Sequence, residues 1–295
     1  MSGGLRWGVE PICRALEIAP STYWSAKARP PSARALSDAV LAPQLKALWV
    51  KNYSVYGRRK LTKAAHRAGL DVGRDQVARL MAAQGIRGAS RAHKRFTTRP
   101  DPAAVRAPDL LKRNFIAHRP DRSWVTDFTY CSTWSGIVYV SFVIDVFSRR
   151  IVGWKAARTM ASSLVIDALN MAAWTRRGVE IDGVICHSDA GSQYTSIAYT
   201  DRLVEIGAAP SIGTVGDSFD NAMAESVIGL FKTELHRNPA ATNGGPWRGL
   251  DDLEVAICGW VSWFNDERIH GELDDSTPAE IESAYHRDHP GERAA

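Results

Sequence analysis

The chain has 295 residues, a length that suits two domains better than one. Hydrophobic residues make up 45% of it, and no uninterrupted apolar run reaches 18 residues. That excludes wholesale disorder and argues against a membrane-spanning helix. The net charge of +5 is a sum of opposed parts. Residues 1–120 hold 23 Lys/Arg and 7 Asp/Glu, a net of +16. Residues 121–295 hold 14 Lys/Arg and 25 Asp/Glu, a net of −11. A basic first part points to a polyanion, most simply nucleic acid. The plainer alternative is a set of solvated helix faces. Cys13, Cys131, Cys186 and Cys258 are too scattered for a zinc knuckle or disulfide framework. That usage, with no apolar leader at the N-terminus, leads us to expect a cytoplasmic protein.

Gly8–Trp24 has a weak helix–turn–helix texture, and Arg29–Arg34 (RPPSAR) reads as a linker. Leu45, Leu48 and Trp49 recur at helical spacing and predict a helix over Ala42–Lys51. Within Tyr56–Gly88, two short helices are ended by Gly69 and Gly85. Two short helices with a Gly-containing turn and basic exposed positions suggest a helix-turn-helix. Arg58, Arg59, Lys60, Lys63, Arg67, Arg74 and Arg79 are its candidate DNA contacts. The alternative is a helical hairpin that binds nothing. Between Ala89 and Arg122, four prolines among basic residues mark the domain boundary. The expected plan is a partial helical DNA-binding segment (1–30), a helix-turn-helix domain (40–90) and a linker (91–120). A catalytic core (121–284) and a tail (285–295) follow.

Past the boundary the period becomes two. Strands are expected at Ser123–Thr133, Ile137–Phe147 and Ile151–Ala157, with a hairpin turn at Ser135-Gly136. A helix follows over Ser162–Arg177, with Ser162 or Ser163 as its N-cap. Then come a strand (Gly183–Ser188), a helix (Ile197–Ile206), a fifth strand (Ala208–Ile212), and helices at Asp220–His236 and Leu250–Glu267. This order predicts an α/β fold with a mixed five-stranded sheet behind an all-α region.

Three carboxylates stand out. Asp127 lies mid-strand, Asp189 at the end of the fourth strand and Glu225 inside the strong helix. A mid-strand carboxylate is costly unless paired, hydrogen-bonded or metal-bound, and a satisfied structural Asp is the alternative for each. On a helical wheel Asn221 and Lys232 fall within about 40° of Glu225, with Gly229 near the same stripe. Glu234 falls on the apolar side, where periodicity does not account for it. Hard oxygen donors without a His/Cys cluster favour Mg²⁺, with Mn²⁺ as substitute. Two such ions about 4 Å apart suit phosphoryl transfer.

The strings around these residues carry a resemblance. They are WVTDFTY (Trp124–Tyr130), IDVFSRRIVGW (Ile144–Trp154), HSDAGSQYTS (His187–Ser196), GDSFDNAMAESVIGLFKTEL (Gly216–Leu235) and WFNDERIHGEL (Trp263–Leu273). Exactly 35 residues separate Asp189 from Glu225. The chain resembles the integrase-type transposases with two aspartates and a glutamate, in particular the second-reading-frame product of the insertion sequence three family. The Tyr56–Gly88 segment is similar to that family's helix-turn-helix. The resemblance implies a ribonuclease-H-like core in which Asp127, Asp189 and Glu225 are catalytic and metal-binding. It implies that Lys232 contacts DNA beside them, with Asn221, His187, Gln193 and Tyr194 near the site and Asn221, Gln193 and Tyr194 as further candidate DNA contacts. Asp145 also lies in a family motif; our own reading pairs it with Arg149 or Arg150 at the strand end.

The resemblance further implies an enzyme that hydrolyses a phosphodiester at an element's end and then joins strands, using Mg²⁺. Its partners would be double-stranded DNA, both terminal inverted repeats and target, and at least one further copy of itself. In such elements the active enzyme is usually a fusion with an upstream reading frame that supplies a leucine zipper. No sustained heptads occur in this chain, so we expect it to be the downstream part, acting at the nucleoid. Two alternatives stay open: a ribonuclease-H-like nuclease that does not join strands, and a DNA-binding regulator on an inactive scaffold.

Overall fold

The computed structural model describes residues 8–90, 117–177, 181–189, 191, 193–212 and 222–290. The linker expected over 91–120 lies outside them as far as residue 116.

Helices α1 (Val9–Ala15) and α2 (Pro20–Ala28) come first. The helix expected to start at Ala42 starts at Ala33 instead: α3 (Ala33–Lys51) is capped by Ser32, whose hydroxyl accepts from Ala35 N. Helices α4 (Arg58–Arg67) and α5 (Arg74–Ala83) are the two short helices read from the sequence. Leu45, Leu61, Ala65, Val77 and Leu80 pack the three together.

The sheet forms from β1 (Ser123–Thr133), β2 (Gly136–Asp145), β3 (Ile151–Ala157), β4 (Ile185–Ser188) and β5 (Ala209–Ile212). Its order is β3-β2-β1-β4-β5: an antiparallel meander, with β4 parallel to both β1 and β5. The hairpin turn is Trp134-Ser135, one residue earlier than expected. Gly136 opens β2 with φ 114, a value that L side chains avoid.

Helices α6 (Ser162–Thr175) and α7 (Ile197–Glu205) cover one face. Ala161, not Ser162 or Ser163, occupies the N-cap of α6, and it supplies no side-chain cap. Gly153 on β3 is what lets α6 approach: a Cβ there would stand 2.2 Å from the carbonyl oxygen of Ala168. The other face carries α8 (Ala222–Phe231), a π-helical turn over Lys232–His236, α9 (Pro239–Thr242) and α10 (Leu250–Asp266). The single helix expected over Asp220–His236 therefore changes pitch at Lys232. A 3₁₀ turn (Gly271–Leu273) leads to α11 (Pro278–Asp288), which Thr277 and Glu280 start with a capping box. Helix α11 runs through the boundary expected between 284 and 285.

Strand alternation divides the core. Val125 and Cys131 face α8 and α10, while Trp124 faces α6 and α7. The helical domain is not set apart from this core. Leu45, Tyr56, Leu61 and Val77 join one apolar cluster with Phe231, Trp260 and Trp263. Polar contacts secure the junction. Tyr56 Oη accepts from Ile269 N at 2.8 Å, Trp263 Nε1 donates to Asn52 Oδ1 at 3.2 Å, and Asn238 Nδ2 donates to the Tyr53 carbonyl at 2.7 Å.

Candidate active site

Strand β1 is the middle strand of the sheet and carries Asp127. Its parallel pairing with β4 ends at Thr126↔Ser188. Asp127 and Asp189 are the next residues on the two strands, so the register brings them side by side at the strand mouth. Adjacent strands lie about 4.8 Å apart, which keeps two carboxylates within reach of one cation. By alternation Asp127 shares the face of Val125, the face that α8 covers. Helix α8 holds Glu225 in its first turn.

The electrostatics report the convergence. Burial pushes the Asp127 carboxyl up to about 8, and the charges of Asp189 and Glu225 add to it. The Phe128 N–H, donating at 2.8 Å, and Lys232 oppose the shift. Burial also raises Asp189, against a hydrogen bond from Gly191 N at 3.0 Å. Two further carboxylates thus bear on Asp127, and hard oxygen donors of this kind suit a divalent cation. Among the described residues no group of three or more His, Cys, Asp or Glu side chains is placed to hold a metal ion as it stands. The arrangement is thus an open set of donors brought from separate elements.

The ammonium of Lys232 lies 5.1 Å from the ring centre of Tyr130 on β1. Burial lowers its proton affinity, and Asp127 partly offsets this. The π turn that carries Lys232 also explains Glu234. Its carboxylate takes both Arg268 Nε and Nη2, at 2.8 and 2.6 Å, with both side chains buried. A charge on the apolar side of the helix is thereby satisfied by a residue 34 positions later.

Several neighbouring residues support the site from within. Tyr194 is buried in the core beside α7; its ring meets Phe128, and its hydroxyl lies 3.4 Å from Thr126 Oγ1. Gln193 is also buried and donates to the Met160 carbonyl at 3.3 Å. Neither offers the exposed DNA contact expected of it. Buried His187 meets Ser211 Oγ at 2.9 Å, across the β4–β5 pair. Asn221 lies outside the described residues.

Asp145 corrects a second expectation. Its carboxylate accepts from Asp121 N, Ser148 N and Ser148 Oγ, at 2.7 to 2.9 Å. Arg150 turns instead to Asp266 and Glu282. The turn's own N–H groups stand closer to the strand end than either guanidinium.

On the helical domain, Arg58 and Arg59 are exposed and Lys60 lies over the Tyr56 ring. Arg74 is exposed beside Asp75. Arg79, however, makes a two-pronged pair with Asp38, and Lys63 pairs with Asp275 at 3.1 Å. Arg67 pairs with Glu280 and donates to the Asp275 carbonyl. These three basic side chains serve internal contacts, two of them across the junction with the core. Composition could not separate them from the exposed Arg58 and Arg59.

The mixed five-stranded sheet with its flanking helices is that of an integrase-type core of the ribonuclease-H-like class. Two integrase core domain models match residues 117–218 and 206–278, and an HTH-like domain model matches residues 35–95. The chain is 47% identical over 274 residues to the putative transposase for insertion sequence element IS986/IS6110 of Mycobacterium tuberculosis, covering 92% of this chain and 97% of that protein. It is 45% identical over 287 residues to the transposase for element IS629 of Shigella sonnei, covering 95% of this chain and 93% of that one. Among solved structures, the magnesium complex of the HTLV-2 integrase catalytic core domain aligns with a TM-score of 0.44 and 16% identity, over 56% of this chain and 98% of that one. The chain belongs to the insertion-sequence transposases of the insertion sequence three family. No described helix is long and apolar enough to cross a membrane.

Proposed function

We propose that this transposase cuts and joins DNA at the ends of its element in one metal-dependent site. The observation that carries the reading is the convergence of Asp127, Asp189 and Glu225 from β1, the end of β4 and the first turn of α8. These three carboxylates would hold Mg²⁺. Bound there, a pair of such ions supplies activation of the attacking oxygen and stabilisation of the leaving oxygen.

The chain's own groups set the conditions for that chemistry. Burial and the neighbouring charges bias Asp127 towards its protonated form near neutral pH until a cation relieves them. Lys232, steadied on Tyr130, presents an ammonium to the phosphate backbone beside the carboxylates. In the first step water attacks phosphorus at the element end; the bond to the 3′ oxygen breaks and leaves a 3′-hydroxyl. In the second, that hydroxyl attacks a target phosphodiester, and the target's own 3′ oxygen leaves. Exposed Arg58, Arg59 and Arg74 on α4 and α5 are the candidate grips on terminal repeats. Bringing two ends together calls for at least two copies of the chain, with an upstream-frame protein as a further candidate partner, in the cytoplasm.

The test is incubation of the purified chain with labelled end DNA and Mg²⁺, alone and fused to the upstream product. Nicked and joined products support the proposal. Nicks without joining favour the nuclease reading, and binding without cleavage by either form favours the regulator.

A further inference from the structure

Past Thr126, β1 continues for seven residues with no described partner strand on its β4 side. This edge, unpaired among the described residues, starts at Asp127 and ends at the β1–β2 hairpin tip. Tyr130 and Trp134 lie along it with 56% and 76% of their surface exposed, a costly display of large aromatic area. By alternation Tyr130 and Ser132 lie on the face opposite Asp127, with exposed Ile137 across from Ser132 and Trp134 in the turn just beyond the strand. Tyr130 stands about 10 Å along the strand from Asp127.

The surroundings are basic, although the domain as a whole is acidic. Lys232 lies over the Tyr130 ring, although it comes from the π turn on the sheet's other face. Exposed Arg237 caps the end of that π turn and bears electrostatically on Lys232. Exposed Arg248 is tied to the tip, its carbonyl accepting from Ser135 N at 3.1 Å. Cations interleaved with exposed rings are what unpaired nucleic acid requires: charge for the backbone and flat faces for the bases. A fully paired duplex offers no base face to such rings, since its bases are stacked on each other.

We infer that Tyr130 and Trp134, flanked by Lys232, Arg237 and Arg248, form a track for unpaired DNA bases leading from the catalytic carboxylates. The inference rests on the proposed site at Asp127 and adds a preference for melted or frayed DNA beside the bond being cut. Lys232 covers one face of the Tyr130 ring and orients it, leaving the other face to stack on a base. Trp134 takes a base further along.

Binding of fluorescein-labelled oligonucleotides to the full chain, in metal-free buffer, tests this without turnover. Failure of the cutting chemistry and failure of the track are thereby read separately. Three probes are compared: a single strand, a duplex with unpaired terminal nucleotides, and the same duplex fully paired. Tyr130→Ala and Trp134→Ala should each weaken binding of the first two probes roughly 5- to 100-fold and leave the paired duplex within about twofold. Tyr130→Phe, which keeps the ring, should bind as the parent does. Unchanged binding of the unpaired probes overturns the inference, as does equal weakening on all three, which would mark a general contact. Both rings are exposed, so unchanged melting temperatures should accompany these changes.

Discussion

Asp127 and Asp189 stand one residue beyond the last paired rung of two parallel neighbours, Thr126 on β1 and Ser188 on β4. Nothing in the chain between them is needed to explain their meeting; the shared register does it. The crevice at the carboxyl end of β4, where β1 runs on without it, is where open α/β sheets collect ligands.

Glu225 enters from outside the sheet. Glu225→Gln keeps shape and hydrogen-bonding capacity and removes one charge. On the proposed mechanism it should lower cleavage and joining by about a thousandfold or more, while end binding in gel-shift assays stays within about twofold. A variant that still joins strands at the parent's rate would remove Glu225 from the site.

The raised Asp127 gives a pH prediction with a definite sign. Its folded value of about 8 lies above the ordinary 3.8. The native state therefore binds the proton more tightly than the unfolded chain between these limits. Stability of the metal-free protein falls as pH rises from about 4 to about 8. Asp127→Asn should raise the metal-free melting temperature by several degrees at pH 8 and change it little at pH 4. Mg²⁺ should stabilise the parent chain more at pH 8 than at pH 6, because binding then competes with less proton. The opposite ordering in a thermal scan would contradict the crowding described at the site.

Glu234 and Arg268 form a pair closed off from water. Removing one partner strands the other's charge. Glu234→Gln and Arg268→Met should each destabilise by about 3–5 kcal/mol in urea titrations, and the two together by clearly less than their sum. Additive losses would mean that the pair is not coupled.

Tyr56 joins the helical domain to the core. Tyr56→Phe keeps the ring against Trp263 and leaves the buried Ile269 N–H without its acceptor. A loss of about 1–3 kcal/mol is expected. Because α3, α4 and α5 share one apolar cluster with α10, unfolding followed by circular dichroism and by tryptophan fluorescence should coincide. Separate transitions would show that the junction is not cooperative.

Arg58 and Arg59 lie on the exposed side of α4. Replacing both by Ala should make the log–log salt dependence of end binding shallower by about two units if each neutralises a phosphate. The same change at Arg79 should instead act on stability, since its guanidinium is committed to Asp38.

The sequence alone determined the five strands to within a few residues, the order of the helices between them, and the candidate carboxylates, but not α9 or α11. It could do so because period-two and period-3.6 patterns are local, and because Asp189 and Glu225 sit in strings that survive reading one residue at a time. It also separated a basic first part from an acidic remainder, which accounts for the small net charge. Only the tertiary structure decided which basic residues are committed to internal pairs. Arg58 and Arg79 are alike in composition, but Asp38 on another helix claims the second. It likewise decided that Glu234 is paired rather than anomalous, through an arginine brought close by folding. The domain boundary was read from prolines and a change of period, yet Tyr56, Asn52 and Tyr53 carry the core across it. Pairing of charges and burial of Tyr194 depend on residues far apart in the chain, and no local pattern records that distance.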